Sequence, residues 1–287
     1  ASDANSDETH QTPPASQSIN AAHTSSMKKR KPRKTSASPG GKRRKKKQPQ
    51  KDETDAKRRP KASLSNARLI SGAGIFNAGG LSKLNEFANS TDHLGIVHRG
   101  TPAGSKTYFR KLLEKVDFDE AQGIVCKSHA KDDLQSILAA KIPKKLRGHD
   151  FYETWLSDMT EVCKTFCDVL KSKAVSFWVG SDRGCVRYHV DWVPFRMLVT
   201  YHGKGTELLP DGVADRKAFL DSNNDNQVVE DPNAVKFMRP WDIALFRGGP
   251  DGVVHRTPDS ALDAPTILMR LDHKEFLDAI LEQEDAA

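Results

Sequence analysis

Two histidines and one aspartate stand out because their types and spacing suit metal binding. His189 and Asp191 lie two positions apart in the run RYHVDWV. Because side chains alternate between the faces of a strand, residues two apart point to the same side. An imidazole and a carboxylate placed side by side can chelate one divalent cation, and His255 in GVVHRTP is the best candidate for a third ligand. Two histidines and a carboxylate with open positions form the facial triad of non-haem Fe(II) oxygenases.

The cysteines offer a second set of possible ligands. Cys185 precedes His189 by four residues, and a thiolate in the metal shell would favour Zn(II) over Fe(II). Cys163 and Cys167 are one helical turn apart, a spacing that permits metal ligation but more often marks small buried thiols. The 4 cysteines show no tight pairwise framework, which favours a reducing compartment over a disulfide-stapled secreted domain.

The elements that must position these residues change in type near residue 173. The clearest helix covers residues 150–171, where apolar side chains recur at three- and four-residue spacing. Shorter helices are expected over 107–116 and 131–142, and GIVHRGT, residues 95–101, indicates a short strand and turn. After residue 173, β-branched or aromatic runs between turn residues predict an antiparallel sandwich or barrel. The runs are AVSFWVG, RYHVDWV, FRMLVTYHG, VKFMRP, DIALFRGG, GVVHRTP and TILMRLD.

The chain of 287 residues, 37% of them hydrophobic, can form one substantial core or at most two small ones. We expect an α+β protein with a disordered basic tail over 1–65 and a single globular domain over 66–287. Within that domain, 66–173 is predicted to be mainly helical and 174–273 to form a β-sandwich or jelly roll. A last helix is expected within 274–287. The apolar runs are too short to span a bilayer.

The positive charge of the chain is concentrated in the predicted tail. Residues 28–61 contain 17 Lys and Arg and three acids, whereas the net charge of the whole chain is +7. The segment from residue 62 onward carries a net charge of −4. Such basic clusters are typical of nuclear-import signals or of arms that bind nucleic acid. A nuclear or cytoplasmic location is therefore expected, and secretion is not, because an apolar signal segment is lacking.

The order of the motifs resembles that of the 2-oxoglutarate- and Fe(II)-dependent dioxygenases. An H-x-D run, the turn GTELLP, the run WDIALF and a distal histidine follow one another, as they do in the double-stranded β-helix, or cupin-like jelly roll, of that superfamily. A closer resemblance covers roughly residues 80–273. The motifs HVDWVPFR, TYHGKGTELLP and VVHRTP resemble those of an uncharacterised family, the domain of unknown function 1826, which has no established activity to transfer.

The resemblance to the dioxygenases implies that the histidines and the aspartate bind Fe(II) and catalyse the reaction. It also implies a basic residue on the last strand that holds the distal carboxylate of 2-oxoglutarate, a role that suits a guanidinium. Arg270 is the available residue, but it lies 15 positions after His255, beyond the usual place, where Thr266 stands. Arg196 or Arg256 are alternatives, and absence of the co-substrate is another.

Three further residues are candidates on the same resemblance. Tyr201 would hydrogen-bond a co-substrate carboxylate or, equally, fill the barrel. Thr206 and Glu207 in the GTELLP turn would contact substrate, and Glu207 could instead orient a metal-bound water or cap a backbone amide. Loops and the N-terminal helices, not the metal motif, set the substrate in such folds, so the sequence does not indicate it.

Three functions follow as hypotheses. The first is a metal-dependent oxygenase, in particular an Fe(II)/2-oxoglutarate hydroxylase. The second is a non-enzymatic cupin-like protein that binds Zn(II) through the same residues, with Cys185 as a possible fourth ligand. Closed four-coordinate zinc shells are structural, whereas open ones are catalytic. The third is a scaffold module whose basic tail, residues 28–61, contacts nucleic acid or an import receptor.

Overall fold

The computed structural model describes residues 69–181, 183–221 and 225–276. The predicted disordered tail over 1–65, with its basic clusters, lies outside the described residues. The helix predicted within 274–287 also falls largely outside them, since only Glu275 and Phe276 are described as helical.

Within the described residues the chain forms ten strands and seven α-helices. The strands are β1 (Ile75–Ala78), β2 (Leu94–Val97), β3 (Glu120–Cys126), β4 (Ala174–Gly180), β5 (Phe195–His202), β6 (Glu207–Leu209), β7 (Lys236–Phe237), β8 (Ile243–Arg247), β9 (Val254–Arg256) and β10 (Ile267–His273). The helices are α1 (Leu84–Ala88), α2 (Ser105–Lys115), α3 (Ala130–Ala139), α4 (Lys144–Arg147), α5 (Asp150–Val169), α6 (Arg216–Asp221) and α7 (Asp225–Val228). In the described part of the chain, we find no helix that is long and apolar enough to cross a membrane.

Seven of the strands form one large sheet in the order β1-β2-β8-β5-β10-β4-β3. All neighbouring strands in it are antiparallel except β1 and β2, which are parallel. The other three strands form a smaller antiparallel sheet in the order β7-β6-β9. The prediction of a mixed α+β protein with a large antiparallel sheet is confirmed.

One face of the large sheet packs against the helices. Met197, Val199 and Tyr201 of β5 point to this side and join a core cluster with apolar residues of α2, α3 and α5. The helix predicted over 150–171 is α5, and its apolar stripe is the buried one. Cys163 and Cys167 lie on that stripe, 0% and 1% exposed, so both are core thiols.

The opposite face of the large sheet is covered by the small sheet over β2, β8 and β5. Leu198 and Phe246 of the large sheet share a second apolar cluster with Leu208 of β6. The ring of Phe246 lies 4.4 Å from that of His255 in β9, measured between centroids. The space between the two sheets is therefore apolar at the point where β9 carries its histidine.

Two expectations from the sequence are wrong in detail. The part predicted to be mainly helical also contains β1 and β3 at the two ends of the large sheet, whereas β2 overlaps the short strand predicted at GIVHRGT. β3 gave a weak signal because its helix-facing positions include the small residues Ala121 and Gly123. The run 187–193 is not a regular strand: it lies in the connection from β4 to β5 and has a single bridge, from His189 to His255.

Candidate metal centre

His189, Asp191 and His255 converge on one point between the two sheets. Their potential ligand atoms all lie within 4.8 Å of one another. His189 and His255 exchange both backbone hydrogen bonds, at 3.0 and 2.9 Å, and their rings are 4.3 Å apart. Although 187–193 is not a strand, this bridge keeps His189 and His255 side by side. Asp191 follows two positions later and joins them from the same side.

A hydrogen bond at each Nδ1 atom fixes the tautomer of the two imidazoles. The Nδ1 atom of His189 lies 2.9 Å from the carbonyl oxygen of Arg187, and Nδ1 of His255 lies 2.9 Å from that of Val253. A carbonyl oxygen can only accept, so each Nδ1 must be the donor. In the neutral ring this leaves Nε2 with a lone pair, the arrangement in which histidines bind metals.

The carboxylate of Asp191 has one paired and one unpaired oxygen. Oδ1 accepts a hydrogen bond from Nη1 of Arg196, whereas Oδ2 is buried and has no hydrogen-bond partner. Oδ2 lies 3.6 Å from Nε2 of His255, too far for a hydrogen bond. A buried polar atom without a partner requires an explanation, and a cation between Asp191 and His255 provides one.

Burial and charge set the protonation of the centre. Burial lowers the pKa of His255 to about 4, so this ring is neutral near pH 7. Burial by itself would raise the pKa of Asp191, but the charge of Arg196 and its hydrogen bond to the carboxylate hold that pKa below its usual value. Burial by itself would lower the pKa of His189, but its hydrogen bond with Cys185 and the charge of that group raise it. The centre therefore offers a neutral imidazole from His255, an ionised carboxylate, and a second imidazole that gives up its proton when a metal binds.

A row of alternating charges leads away from the centre along the large sheet. Arg196 pairs with Asp191 through Nη1 and with Asp272 through Nε, the latter at 2.7 Å. On the other side of Asp272, Nε of Arg270 lies 3.0 Å from Oδ2. The guanidinium of Arg270 lies between the rings of Trp178 and Phe276, at 5.6 and 5.3 Å.

Arg270 and Arg196 therefore differ in their capacity for a further anion. Arg196 already has two carboxylate partners, one on each side. Among the described residues, Asp272 is the one ion-pair partner of Arg270. Within the same part of the chain, Nε of Arg270 makes no hydrogen bond. Burial lowers the pKa of this guanidinium. Thr266, at the position where the dioxygenases usually carry this residue, is buried and donates to the carbonyl of Ser181.

Cys185 lies beside the centre but outside the set of converging ligand atoms. The residue is exposed and has a positive φ of 54°. Its hydrogen bond with His189 is the main cause that lowers the pKa of the thiol. Cys185 thus contacts one of the three residues without completing a four-ligand shell.

Tyr201 does not lie near the centre. It is on the face of β5 that packs against the helices, and its hydroxyl donates to Asp158 of α5 at 2.8 Å. The large sheet separates it from Asp191, so the interpretation of Tyr201 as a co-substrate ligand is corrected. The alternative, a residue that fills the core, agrees with its 1% exposure.

Glu207 and Arg256 lie on the far side of the small sheet. They are paired in the β6–β9 register, whereas Leu208 pairs with His255, so the two pairs point to opposite faces. Glu207 accepts from the hydroxyl of Tyr188 and pairs with Arg256 at 3.2 Å. Its predicted role in substrate contact is therefore corrected, as is the option of Arg256 as the co-substrate ligand. Thr206 is buried beside them, and its carbonyl accepts from the backbone N–H of Met238.

Asp272 and Phe246 belong to the site but were missed in the sequence. Asp272 is two positions after Arg270 in MRLD, and that spacing on a strand already placed both on one face. Phe246 gave no comparable signal, because its approach to His255 depends on how the two sheets pack.

Several solved structures share a likeness with the chain. A bsmA homolog from Methylobium petroleophilum PM1 is 12% identical, with 67% of this chain and 92% of that one covered and a TM-score of 0.35. A 2OG-Fe(II) oxygenase family oxidoreductase from Burkholderia pseudomallei is 8% identical, covering 68% and 92%, with a TM-score of 0.30. EctD from S. alaskensis, solved with 2-oxoglutarate and 5-hydroxyectoine, is 11% identical, covering 66% and 75%, with a TM-score of 0.32.

A comparison with curated proteins gives no match. The family model described as "Protein of unknown function (DUF1826)" matches residues 80–272. This range contains the His189, Asp191 and His255 centre and the Arg196 to Arg270 row. The motifs HVDWVPFR, TYHGKGTELLP and VVHRTP fall within it, and the resemblance inferred from them is confirmed: the chain belongs to the DUF1826 family.

Proposed function

We propose that this protein is a metal-dependent oxygenase of the Fe(II)/2-oxoglutarate type, with His189, Asp191 and His255 as its metal ligands. The observation that carries the proposal is the unpaired Oδ2 of Asp191, buried 3.6 Å from Nε2 of His255. Two imidazole nitrogens and one carboxylate oxygen form a 2-His-1-carboxylate set that leaves positions open to other ligands.

The donor set and its surroundings fit iron. Both histidines have their Nδ1 atoms held by backbone carbonyls, so the rings are oriented before an ion arrives. The ring of Phe246 and the apolar cluster between the sheets lie behind His255 and keep water from that side. When bound, Fe(II) would supply the activation of O2 for oxidation of a substrate.

Arg270 is the proposed partner of a co-substrate carboxylate. A guanidinium with one carboxylate partner, close to the rings of Trp178 and Phe276, can pair with a second carboxylate bidentately. Arg196 instead holds Asp191 through Oδ1, which leaves Oδ2 for the metal. We assign Arg196 a positioning role and Arg270 the binding role.

The sheet arrangement supports a further part of the proposal, a double-stranded β-helix. A large antiparallel sheet with helices on one face is opposed on the other by the smaller β7-β6-β9 sheet. The metal ligands lie between the two sheets, on β9 and on the connection into β5. We propose that the two sheets together are a distorted double-stranded β-helix whose large sheet is extended at both ends.

Anaerobic titration of the Fe(II)-loaded protein with 2-oxoglutarate tests the proposal directly. The chelated complex should give a visible metal-to-ligand charge-transfer absorption. His255→Ala should remove both iron binding and the absorption, because it deletes a ligand. Arg270→Gln should retain iron and require at least about tenfold more 2-oxoglutarate, the equivalent of a lost charge pair of roughly 1.4 kcal/mol.

Two control variants separate specific from general effects. His93→Ala removes a partly exposed histidine on the connection into β2, and Arg110→Gln removes an exposed arginine of α2. Both should leave the iron content and the titration unchanged. Iron binding that survives His255→Ala would contradict the metal centre. Iron binding without a 2-oxoglutarate signal at any concentration would contradict the co-substrate.

A further inference from the structure

A second group of mixed donor residues lies at the end of β3. Cys126 is the last residue of that strand, His129 ends the 3-10 turn that follows, and Asp133 is in the first turns of α3. One donor atom from each lies within 4.8 Å of the others. The group shares no residue with the His189, Asp191 and His255 centre.

The distances within this group suit a small ion. Nδ1 of His129 lies 3.1 Å from both carboxylate oxygens of Asp133, in a hydrogen-bonded contact that a bound ion would replace. Two ligand atoms bound to one tetrahedral zinc at 2.0–2.2 Å are roughly 3.3 Å apart. His129 and Asp133 thus already have close to the separation that a shared zinc requires, and the thiol of Cys126 completes a three-ligand face.

The backbone on both sides holds these residues in place. β3 pairs with β4 over its full length, up to Cys126. α3 is anchored by Leu134 and Leu138, both fully buried. The carboxylate of Asp133 also accepts from the backbone N–H of Cys126 at 2.8 Å, which fixes the carboxylate next to the end of the strand.

The two nearby lysines do not form ion pairs with the carboxylate of Asp133. Lys127 pairs with Asp168 of α5, and Lys131 pairs with Glu153 of α5. The two lysines that flank His129 in the sequence therefore have other acidic partners. The ion-pair partner of Asp133 is therefore His129. The side chain of Asp133 is 25% exposed, so an ion can reach it from solvent.

We propose that Cys126, His129 and Asp133 form a zinc site that joins the end of β3 to the start of α3. A thiolate, an imidazole and a carboxylate are the ligands that Zn(II) takes, and three protein ligands leave its fourth position for water. Zinc binds the thiolate, so the thiol proton is released to solvent on binding. The site is independent of the proposed oxygenase function.

Cobalt substitution tests the site by its sulfur ligand. Co(II) bound by a thiolate gives a near-ultraviolet sulfur-to-metal charge-transfer band, which His and Asp ligands alone do not give. The titration uses the full chain carrying His255→Ala, so that the first centre does not compete. The band should appear with one equivalent of Co(II), disappear in Cys126→Ser, and require at least tenfold more Co(II) in His129→Ala.

The control is Cys185→Ser, which removes the exposed thiol beside the first centre and should retain the band. A band that survives Cys126→Ser, or that is lost in Cys185→Ser, overturns the proposal.

A second measurement does not depend on the folding of any variant. Alkylation of Cys126 in the unmodified protein, followed by mass spectrometry, should slow at least tenfold when zinc is added. Equal alkylation rates with and without zinc overturn the proposal, whatever the result at the first centre.

Discussion

At the scale of single residues, Arg196 governs the charge balance of the metal centre. Its side chain is 14% exposed, and it pairs with Asp191 and Asp272, each 2% exposed. Two buried carboxylates share one guanidinium, and Asp272 has Arg270 as a second partner. Among the described residues, Arg196 is the one arginine that forms an ion pair with Asp191.

Arg196→Gln should therefore destabilise the metal-free protein. Removal of one partner from a buried ion pair leaves an uncompensated charge, at a cost of about 3–5 kcal/mol in the free energy of unfolding. Urea denaturation monitored by circular dichroism measures that change. The exposed arginine variant Arg110→Gln should differ from the parent by less than about 0.5 kcal/mol. Equal effects of the two substitutions would show that the row of charges is not a stabilising network.

Three of the four thiols should differ strongly in their rates of reaction. Burial raises the pKa of Cys163 well above its usual value and that of Cys167 to about 11, so both remain protonated and enclosed at pH 8. Cys185 is exposed, and its hydrogen bond with His189 lowers its pKa. A disulfide reagent should modify Cys185 first in the metal-free protein and reach Cys163 and Cys167 after unfolding. Fast labelling of Cys163 in the native state would contradict the burial of the apolar face of α5.

At the scale of elements, the end of β8 holds the connection that carries Asp191. The backbone N–H of Gly249 donates to the carbonyl of Asp191 at 2.8 Å. A Cβ on Gly248 would lie 2.0 Å from the carbonyl oxygen of Val193 and 2.6 Å from that of Asp191. The backbone of residues 191–193 thus packs directly against Gly248 and leaves no room for a side chain at that position.

Gly248→Ala should displace this segment and reduce iron binding, although Gly248 is not itself a ligand. Gly184→Ala is the matched control, because a Cβ there meets nothing within 4 Å and the residue lies on the same β4–β5 connection. Iron content after reconstitution, with circular dichroism to check folding, measures the difference. An unchanged iron content in folded Gly248→Ala would mean that the Asp191 segment tolerates the shift.

Strand alternation also explains which site residues could be predicted from the sequence. His189, Asp191 and His255 were chosen as candidates from their types and spacing together with the order of the surrounding motifs. Arg196 and Tyr201 were both assigned to the co-substrate, yet they are five positions apart on one strand and so face opposite sides. That conflict was visible in the sequence. The proximity of Phe246 and Phe276 to the site was not, because it depends on contacts between separate elements.

At the scale of the whole chain, positive charge and candidate chemistry occupy different segments. Residues 28–61 contain 17 Lys and Arg, whereas both candidate metal sites lie after residue 120. We propose that the basic segment binds polyanions such as nucleic acid. The division of charge was fully predictable from the sequence. The antiparallel sheet was predicted as well, but the addition of β1 and β3 from the N-terminal half at its two ends was not.

Deletion of residues 1–65 should abolish binding to duplex DNA and leave the iron content unchanged. The full chain should bind DNA with an affinity that falls steeply as salt rises, because Lys and Arg displace counterions from phosphates. Fluorescence anisotropy at several salt concentrations measures both effects. DNA binding that persists after the deletion would place the nucleic-acid contact on the acidic remainder of the chain.

The alternation of β5 has a consequence for how the family can diversify. Met197, Val199 and Tyr201 support the helical core, while Arg196 and Leu198 face the metal centre and the small sheet. Substitutions on the second set alter the space between the two sheets, whereas substitutions on the first set alter the helical core. One strand thus carries two kinds of constraint on alternate positions, and a mutational scan of β5 should find that the positions that change iron content recur with a period of two.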